Sequence, residues 1–320
     1  MVDGHGTHRG TASRILVTPR SLTSHGIDDV PELDGLREAG YELVTSAPGR
    51  RPSGDELVEL VPDVVGWLAG VEPIDARVLG AARRLRAISR NGAGTDNIDE
   101  NAARDAGVTV LRAPGANAQG VAELTLALCL MSLRDLVSSS NALRSGRWSR
   151  REGRELGEIT LGVVGLGAVG RRVADIFQLL GASVIGYDPF VTESTLELVG
   201  FDDLLRRADI VTLHCPPPAN GLPLIDAAAM AKLTPGATLI NTARSLLVDD
   251  QAVLAALDAG RLSCYAVDAF DAEPPAPSAL LAHDRVIATP HLGGYTAASV
   301  SRATRQAADN LRHALEEKRA

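Results

Sequence analysis

Residues 158–188 read EITLGVVGLGAVGRRVADIFQLLGASVIGYD, and their pattern decides the fold. An apolar run, 159–164, breaks into Gly165-Leu166-Gly167-Ala168-Val169-Gly170. A helical pattern then continues to Leu180, and a second apolar run, 183–187, closes on Asp188. A buried strand, a glycine turn, a helix and a second strand make one βαβ unit. Gly165 permits the tight turn, Gly167 lets the backbone approach a pyrophosphate with no Cβ in the way, and Gly170 lets the helix pack close to the sheet. Ala168 and Val169 complete a helix N-terminus whose free N–H groups and positive dipole end favour phosphates. Asp188 stands where a carboxylate accepts hydrogen bonds from an adenosine ribose and repels a 2′-phosphate. The unit therefore predicts NAD in preference to NADP. An isolated glycine turn is the alternative, and the flanking strands, the helix and the terminal aspartate speak against it.

Outward from this unit the chain alternates short apolar runs with amphipathic stretches. Upstream, 15–18, 42–45, 64–68, 87–90 and 109–111 read as buried strands, and Ser53 with Glu56 three residues on forms a capping box that starts a helix. A long helical pattern covers 117–137, with Val121, Leu124, Leu128 and Met131 among its apolar positions. An arginine-rich connection, 144–155, follows; its Trp148 reads as a substrate or interface contact or, more simply, as one buried aromatic in a solvated loop. Downstream, strands are expected at 210–214, 237–241, 263–267 and 286–288, and a helix at 296–317. Strands alternating with helices imply parallel sheets, so the fold class is α/β with two doubly wound parallel-sheet domains.

The chain has 320 residues, enough for two domains of ordinary size, and its 45% hydrophobic and 22% charged content is that of a globular protein. No apolar run approaches the ~20 residues of a membrane span, and the N-terminus MVDGHGTHRGTAS has no apolar signal core, so a cytoplasmic location without membrane partners is expected. The net charge of −8 argues against a nucleic-acid partner. Cys129, Cys215 and Cys264 show no CxxC spacing and read as reduced and structural. A metal reading of His5 and His8 in the N-terminal tail is weaker than a disordered tail, and no metal is expected.

In open parallel sheets ligands bind beyond the carboxyl ends of the strands. After the run ending at Arg90 comes Asn91-Gly92-Ala93-Gly94, a turn able to present N–H groups to a carboxylate. After Ile240 come Asn241-Thr242-Ala243-Arg244, an arginine fork suited to a planar carboxylate. Asp268 to Glu273 follow Val267, and Thr289-Pro290-His291 follow Ala288. Each alone has a bland explanation: a satisfied loop histidine, a surface arginine. Together they supply an anion clamp, a proton donor and a carboxylate to hold an imidazole, which is what reduction of a carbonyl requires.

The stretches NGAGTDNID, PGANAQGVAELTLAL, GVVGLGAVG, INTAR, AVDAFDAEPP and ATPHLGG, in this order over nearly the whole chain, resemble the NAD-dependent D-2-hydroxyacid dehydrogenases. ILVTPRSLTSHGID and SRNGAGTDNID are similar to the phosphoglycerate-dehydrogenase-like subgroup. The resemblance implies a flavodoxin-like substrate domain, 14–112 with 292–320, and an inserted NAD-binding Rossmann domain, 113–291. It implies that Arg244, Glu273 and His291 are catalytic, that Asp268 holds the nicotinamide carboxamide, and that Thr242 and His214-Cys215-Pro216 line the cofactor. The chain departs from the family at Ser245, usually glycine, at Ala269, usually valine, and at the proline-rich loop after Pro216. The regulatory domain that ends many phosphoglycerate dehydrogenases has no counterpart, which weakens an assignment to serine biosynthesis.

The expected reaction is hydride transfer at C2 of a 2-keto or 2-hydroxy acid. Arg244 and the Ala93 and Gly94 N–H groups would bind the carboxylate, while His291, tuned by Glu273, would donate or accept the proton. Closure of the two domains is expected, hinged near 111–117 and 290–295. Arg20 and Arg90, at strand ends, suggest a second anionic group on the substrate. That ranks 3-phosphoglycerate/phosphohydroxypyruvate first, then a phosphonate such as phosphonopyruvate, then glyoxylate or hydroxypyruvate. A general glyoxylate/hydroxypyruvate reductase, or a non-catalytic NAD-sensing corepressor, is the alternative. The 117–137 helix is where the family dimerises, and a homodimer is expected.

Overall fold

The structure, a computed structural model, describes residues 13–46 and 48–318; His5 and His8 lie outside them. Among these residues, twelve strands occur in two sheets. The first holds β1 (Arg14–Val17), β2 (Glu42–Thr45), β3 (Val64–Ala69), β4 (Ala87–Arg90) and β5 (Thr109–Arg112) in the order β2-β1-β3-β4-β5. The second holds β6 (Thr160–Val164), β7 (Ser183–Tyr187), β8 (Glu197–Leu198), β9 (Ile210–Leu213), β10 (Ala237–Asn241), β11 (Leu262–Val267) and β12 (Val286–Ala288). Its order is β12-β11-β10-β9-β6-β7-β8. Every pairing is parallel. The first order is that of flavodoxin and the second contains the dinucleotide-binding order. The described residues up to Asn117, joined by those from Ala297, form one compact unit, and Ala118–Thr296 form the other.

Both faces of each sheet are covered. In the first unit, Leu16, Trp67 and Ile88 pack on one face. Ile15, Val17, Leu68 and Ala87 pack on the other, beneath Ala307, Leu311 and Leu315 of the helix Ala297–Glu317. That helix comes so close that a Cβ on Gly66 would lie 2.8 Å from the Leu315 side chain. In the second unit, Leu161, Val163 and Ile240 face Phe177 of the helix Ala168–Leu179 and Leu128 of the helix Ala118–Leu133. Val164, Val211 and Leu239 face Val253 and Leu257 on the opposite side. Burying a Leu or Phe side chain in this way contributes about 1.5–3 kcal/mol.

Three expectations need correction. β2 and β5 are only half-buried, because they are the two edges of their sheet and have a strand on one side only. The helix expected over 117–137 ends at Leu133, and a second one runs from Leu136 to Arg144. Asp135 breaks them apart with φ 47° and ψ 42°, a left-handed conformation that a short polar side chain tolerates. Trp148 is not a buried aromatic: it is 81% exposed. The capping box is present as expected, with the Ser53 hydroxyl accepting from the Glu56 N–H and the Glu56 carboxylate from that of Ser53.

Candidate active site

At the carboxyl end of β6 the chain turns through Gly165, whose φ of +91° favours glycine. A Cβ there would also lie 2.8 Å from the backbone of His214 and Cys215, where β9 ends. Gly170 is tighter still, since a Cβ would sit 1.9 Å from the Gly165 carbonyl oxygen. Around Gly167 a Cβ would meet nothing within 4 Å. The fold therefore requires glycine at 165 and 170, and the bare backbone at 167 faces open space. The helix Ala168–Leu179 begins at Gly167 with no side-chain cap and no acidic residue in its first turn. The helices starting after Ser53, Asp75, Asp99, Asp226 and Asp249 are all capped by those side chains. An uncapped N-terminus beside a residue without a Cβ fits a pyrophosphate.

Asp188 closes this loop. One carboxylate oxygen accepts the Leu166 N–H at 2.8 Å and the other accepts the Phe190 N–H at 2.9 Å. Both bonds orient the carboxylate and leave each oxygen a second lone pair for a ribose hydroxyl. Nearby, the His214 ring nitrogen Nε2 is hydrogen-bonded to the Thr212 hydroxyl at 2.9 Å, and burial pushes its pKa down to about 3. His214 is neutral at physiological pH. Burial also pushes the Cys215 thiol up to about 11, and the Asp188 charge adds to it. Pro216 is exposed beside it.

Beyond the ends of β11 and β12 the proposed acid–base pair comes together. His291 Nδ1 and Glu273 Oε1 are 2.6 Å apart, the length of a charge-assisted bond. His291 has φ 54°, a left-handed backbone that only strong surroundings maintain for such a residue. Those surroundings are Asp268, whose side chain is almost completely buried. It accepts the Thr289 hydroxyl at 2.6 Å, the Leu292 N–H at 2.7 Å and the Gly293 N–H at 2.8 Å. Asp268, expected to hold the cofactor, is thus also the residue that clamps the turn carrying His291. The dyad itself is open to solvent, its side chains 49% and 38% exposed.

The arginine turn has its own clamp. Asn241, fully buried, donates from Nδ2 to the Arg244 carbonyl at 2.8 Å and accepts the Ala243 N–H at 3.1 Å. Arg244 Nη1 donates to the Ala243 carbonyl at 2.8 Å. Thr242 lies with its hydroxyl 3.3 Å from that of Thr125, a buried position on the helix Ala118–Leu133. An asparagine that bonds its own backbone at a strand end is a known turn signal, and Asn241 could have been assigned this role from sequence.

In the first unit, Asn91 leaves the end of β4 with its amide nitrogen 3.3 Å from the Thr304 hydroxyl. Arg90 is turned onto its own loop. Its Nη1 donates to the Asn91 carbonyl at 2.6 Å and would lie 2.8 Å from a Cβ on Gly92, whose φ is +155°. Among the described residues, the Ala93 and Gly94 N–H groups donate to no protein acceptor, and the exposed Arg20 guanidinium has no ion-pair or hydrogen-bond partner. One buried carboxylate here was missed by sequence reasoning. Glu72, just past β3, accepts the Gly70 N–H at 2.9 Å and the Thr18 hydroxyl, while the Trp67 indole donates to Thr18 at 2.9 Å. No local pattern marks it, because its partners come from two different strand ends.

Residues 126–293 match the family model described as D-isomer specific 2-hydroxyacid dehydrogenase, NAD binding domain. A D-3-phosphoglycerate dehydrogenase of Mycobacterium bovis is 39% identical over 272 residues, 82% of this chain and 52% of that protein. The chain thus spans about half the length of that relative. A hydroxypyruvate reductase of Thermotoga maritima is 35% identical over 251 residues, 76% of this chain and 82% of that protein. Among solved structures, the TT0316 protein from Thermus thermophilus superposes with a TM-score of 0.85 at 32% identity, over 95% of this chain and 97% of that one.

Proposed function

Because the chain belongs to the D-isomer-specific 2-hydroxyacid dehydrogenase family, we propose that it interconverts a small 2-keto acid and the corresponding 2-hydroxy acid. NAD, when bound, supplies the hydride acceptor or donor. The observation that carries the reading is the 2.6 Å pair of His291 and Glu273 on a turn locked by Asp268. Glu273 bonds Nδ1, which leaves Nε2 of His291 to give the proton to the C2 oxygen on reduction and to take it on oxidation. Arg244, on the turn held by Asn241, binds the substrate carboxylate with a planar fork. In the other unit, the N–H groups of Ala93 and Gly94, which donate to no protein acceptor among the described residues, suit an anion in the manner of a backbone nest. The uncapped helix N-terminus at Gly167, the Asp188 carboxylate, Thr242 and the 214–216 loop hold the cofactor.

Of the two arginines expected to meet a second anion, Arg20 is the better candidate, since its guanidinium has no protein partner among the described residues and Arg90 is engaged with its own turn. This keeps phosphohydroxypyruvate and phosphonopyruvate ahead of smaller acids. Plain hydroxypyruvate or glyoxylate reduction is the second reading. It is favoured by Arg90, which leaves one arginine where two were expected. The two units act as substrate domain and NAD-binding domain. We further propose a homodimer in the cytoplasm: Leu130, Leu136, Leu143 and Trp148 lie 37–81% exposed on or just after the helices Ala118–Leu133 and Leu136–Arg144. Among the described residues no helix is long and apolar enough to cross a membrane.

The test is NADH oxidation with phosphohydroxypyruvate, phosphonopyruvate, hydroxypyruvate, glyoxylate and pyruvate at equal concentration. A preference of ~10²-fold for the doubly anionic acids, about 2.7 kcal/mol of transition-state discrimination, that is lost in Arg20→Ala supports the first reading; equal rates support the second. His291→Ala should lower turnover by roughly 10²–10⁴. NADH binding without turnover of any acid would move the corepressor reading to first place.

A further inference from the structure

Ser245 and Asp271 are 26 positions apart, yet the Ser245 hydroxyl donates to Asp271 Oδ1 at 2.5 Å, within the range of a charge-assisted O–H···O⁻ bond. Ser245 directly follows Arg244. Asp271 lies two residues before Glu273, on the segment where Glu273 Oε1 accepts the Phe270 N–H at 3.5 Å and the His291 ring at 2.6 Å. The contact therefore links the turn carrying the proposed carboxylate-binding arginine to the loop carrying the proposed acid–base pair. Behind it, the two segments are connected through the parallel pairing of β10 with β11, which ends at Asn241 and Val267. Beyond those residues both chains leave the sheet, and ladder bonds no longer set their separation.

We infer that Ser245 is a positioning residue: its hydroxyl, latched on Asp271, sets the spacing between Arg244 and the His291–Glu273 pair. The latch needs a side chain at this position, because a glycine there could make no such bond. A short hydroxyl suits the task because it can donate one directed bond without adding a charge next to Arg244. An exposed bond of this kind adds little to global stability, whereas an error of an ångström in the placement of reacting groups costs up to about 10²-fold in rate. The signature is a change in turnover without a change in folding or cofactor affinity. The inference rests on the dehydrogenase reading of Arg244 and His291.

The experiment uses the full chain with NADH and hydroxypyruvate as probe, and compares Ser245→Ala, Ser245→Thr, Asp271→Ala, Asp271→Asn, the Ser245→Ala/Asp271→Ala double variant and His291→Ala. Ser245→Ala and Asp271→Ala should each lower kcat by about tenfold, while the melting temperature and the Kd for NADH stay near those of the wild type. Ser245→Thr, which keeps the hydroxyl, and Asp271→Asn, which keeps an acceptor oxygen, should recover most of the loss. The double variant should be no worse than either single one. Multiplying losses in the double variant, or a kcat for Ser245→Ala equal to wild type, overturns the latch. If His291→Ala also turns over normally, the dehydrogenase reading itself fails; if only Ser245→Ala does, that reading stands and the latch alone is lost.

Discussion

The N–H of Gly293 donates to Asp268 Oδ2 at 2.8 Å in close quarters: a Cβ on Gly293 would lie 3.1 Å from that oxygen and 3.2 Å from Val121 Cγ2. With the Thr289 and Leu292 bonds, the carboxylate grips the chain on both sides of His291. A left-handed backbone at His291 is maintained by this grip, since nothing in an isolated TPHLGG peptide would favour it.

Asp268→Asn replaces one acceptor with a donor that faces donors. Leaving a buried donor unsatisfied costs about 1–3 kcal/mol, so urea unfolding should shift by that amount. Turnover should fall further than the loss of folded protein accounts for. A variant with wild-type stability and rate would show that the clamp is dispensable.

Gly167 and Gly170 belong to one motif but should fail differently. Gly170→Ala drives a methyl into the Gly165 carbonyl, and the melting temperature should drop by several degrees, matching an overpacking cost of about 1–3 kcal/mol. Gly167→Ala meets no protein atom, so the melting temperature without cofactor should hold. Its Kd for NADH, read by fluorescence titration, should rise about tenfold or more, equivalent to at least ~1.4 kcal/mol.

His214 makes stability depend on pH with a defined sign. In the unfolded chain its imidazole takes up a proton near pH 6.5, whereas the half-buried, desolvated ring takes one up only at about pH 3. Between those values the unfolded state binds more protons, so this group's contribution is complete above about pH 6.5 and declines as the pH falls. Urea midpoints measured from pH 7.5 to 5 should decline less steeply in His214→Gln than in the wild type. Parallel slopes would exclude His214 as a source of the loss.

The cysteines should be poor nucleophiles. Burial raises Cys129 and Cys264 to about 12 and Cys215 to about 11, and the thiolate is the reactive form. Iodoacetamide at pH 8 should leave the folded protein almost unlabelled and modify three thiols once it is unfolded in urea, as counted by mass spectrometry. Rapid labelling of Cys215 in the folded state would contradict this.

The residues of the proposed site differ in how far local sequence identifies them. Gly165 and Gly170 are readable because a tight strand-to-helix turn demands glycine whatever surrounds it, and Asp188 because it ends the strand that follows. The two parallel sheets are readable because strand and helix periodicities alternate along the chain. Asn241 carried a turn signal, its side chain being able to bond its own backbone.

Other features depend on which segments meet. Asp268 looks like one more carboxylate in AVDAFDAEPP until the turn after β12 delivers Thr289, Leu292 and Gly293 to it. Glu72 gains its partner from the end of β1, and Ser245 meets Asp271 only because β10 and β11 pair in parallel and end side by side. Burial of β2 and β5 could not be inferred from their apolar residues, because position at a sheet edge decides it. By itself the sequence determined the periodic elements and the turns that tolerate a single residue type, since both follow from local backbone sterics. Only the tertiary structure decided the partners of the buried carboxylates and the latch between two loops, since those bonds join residues that the chain keeps far apart.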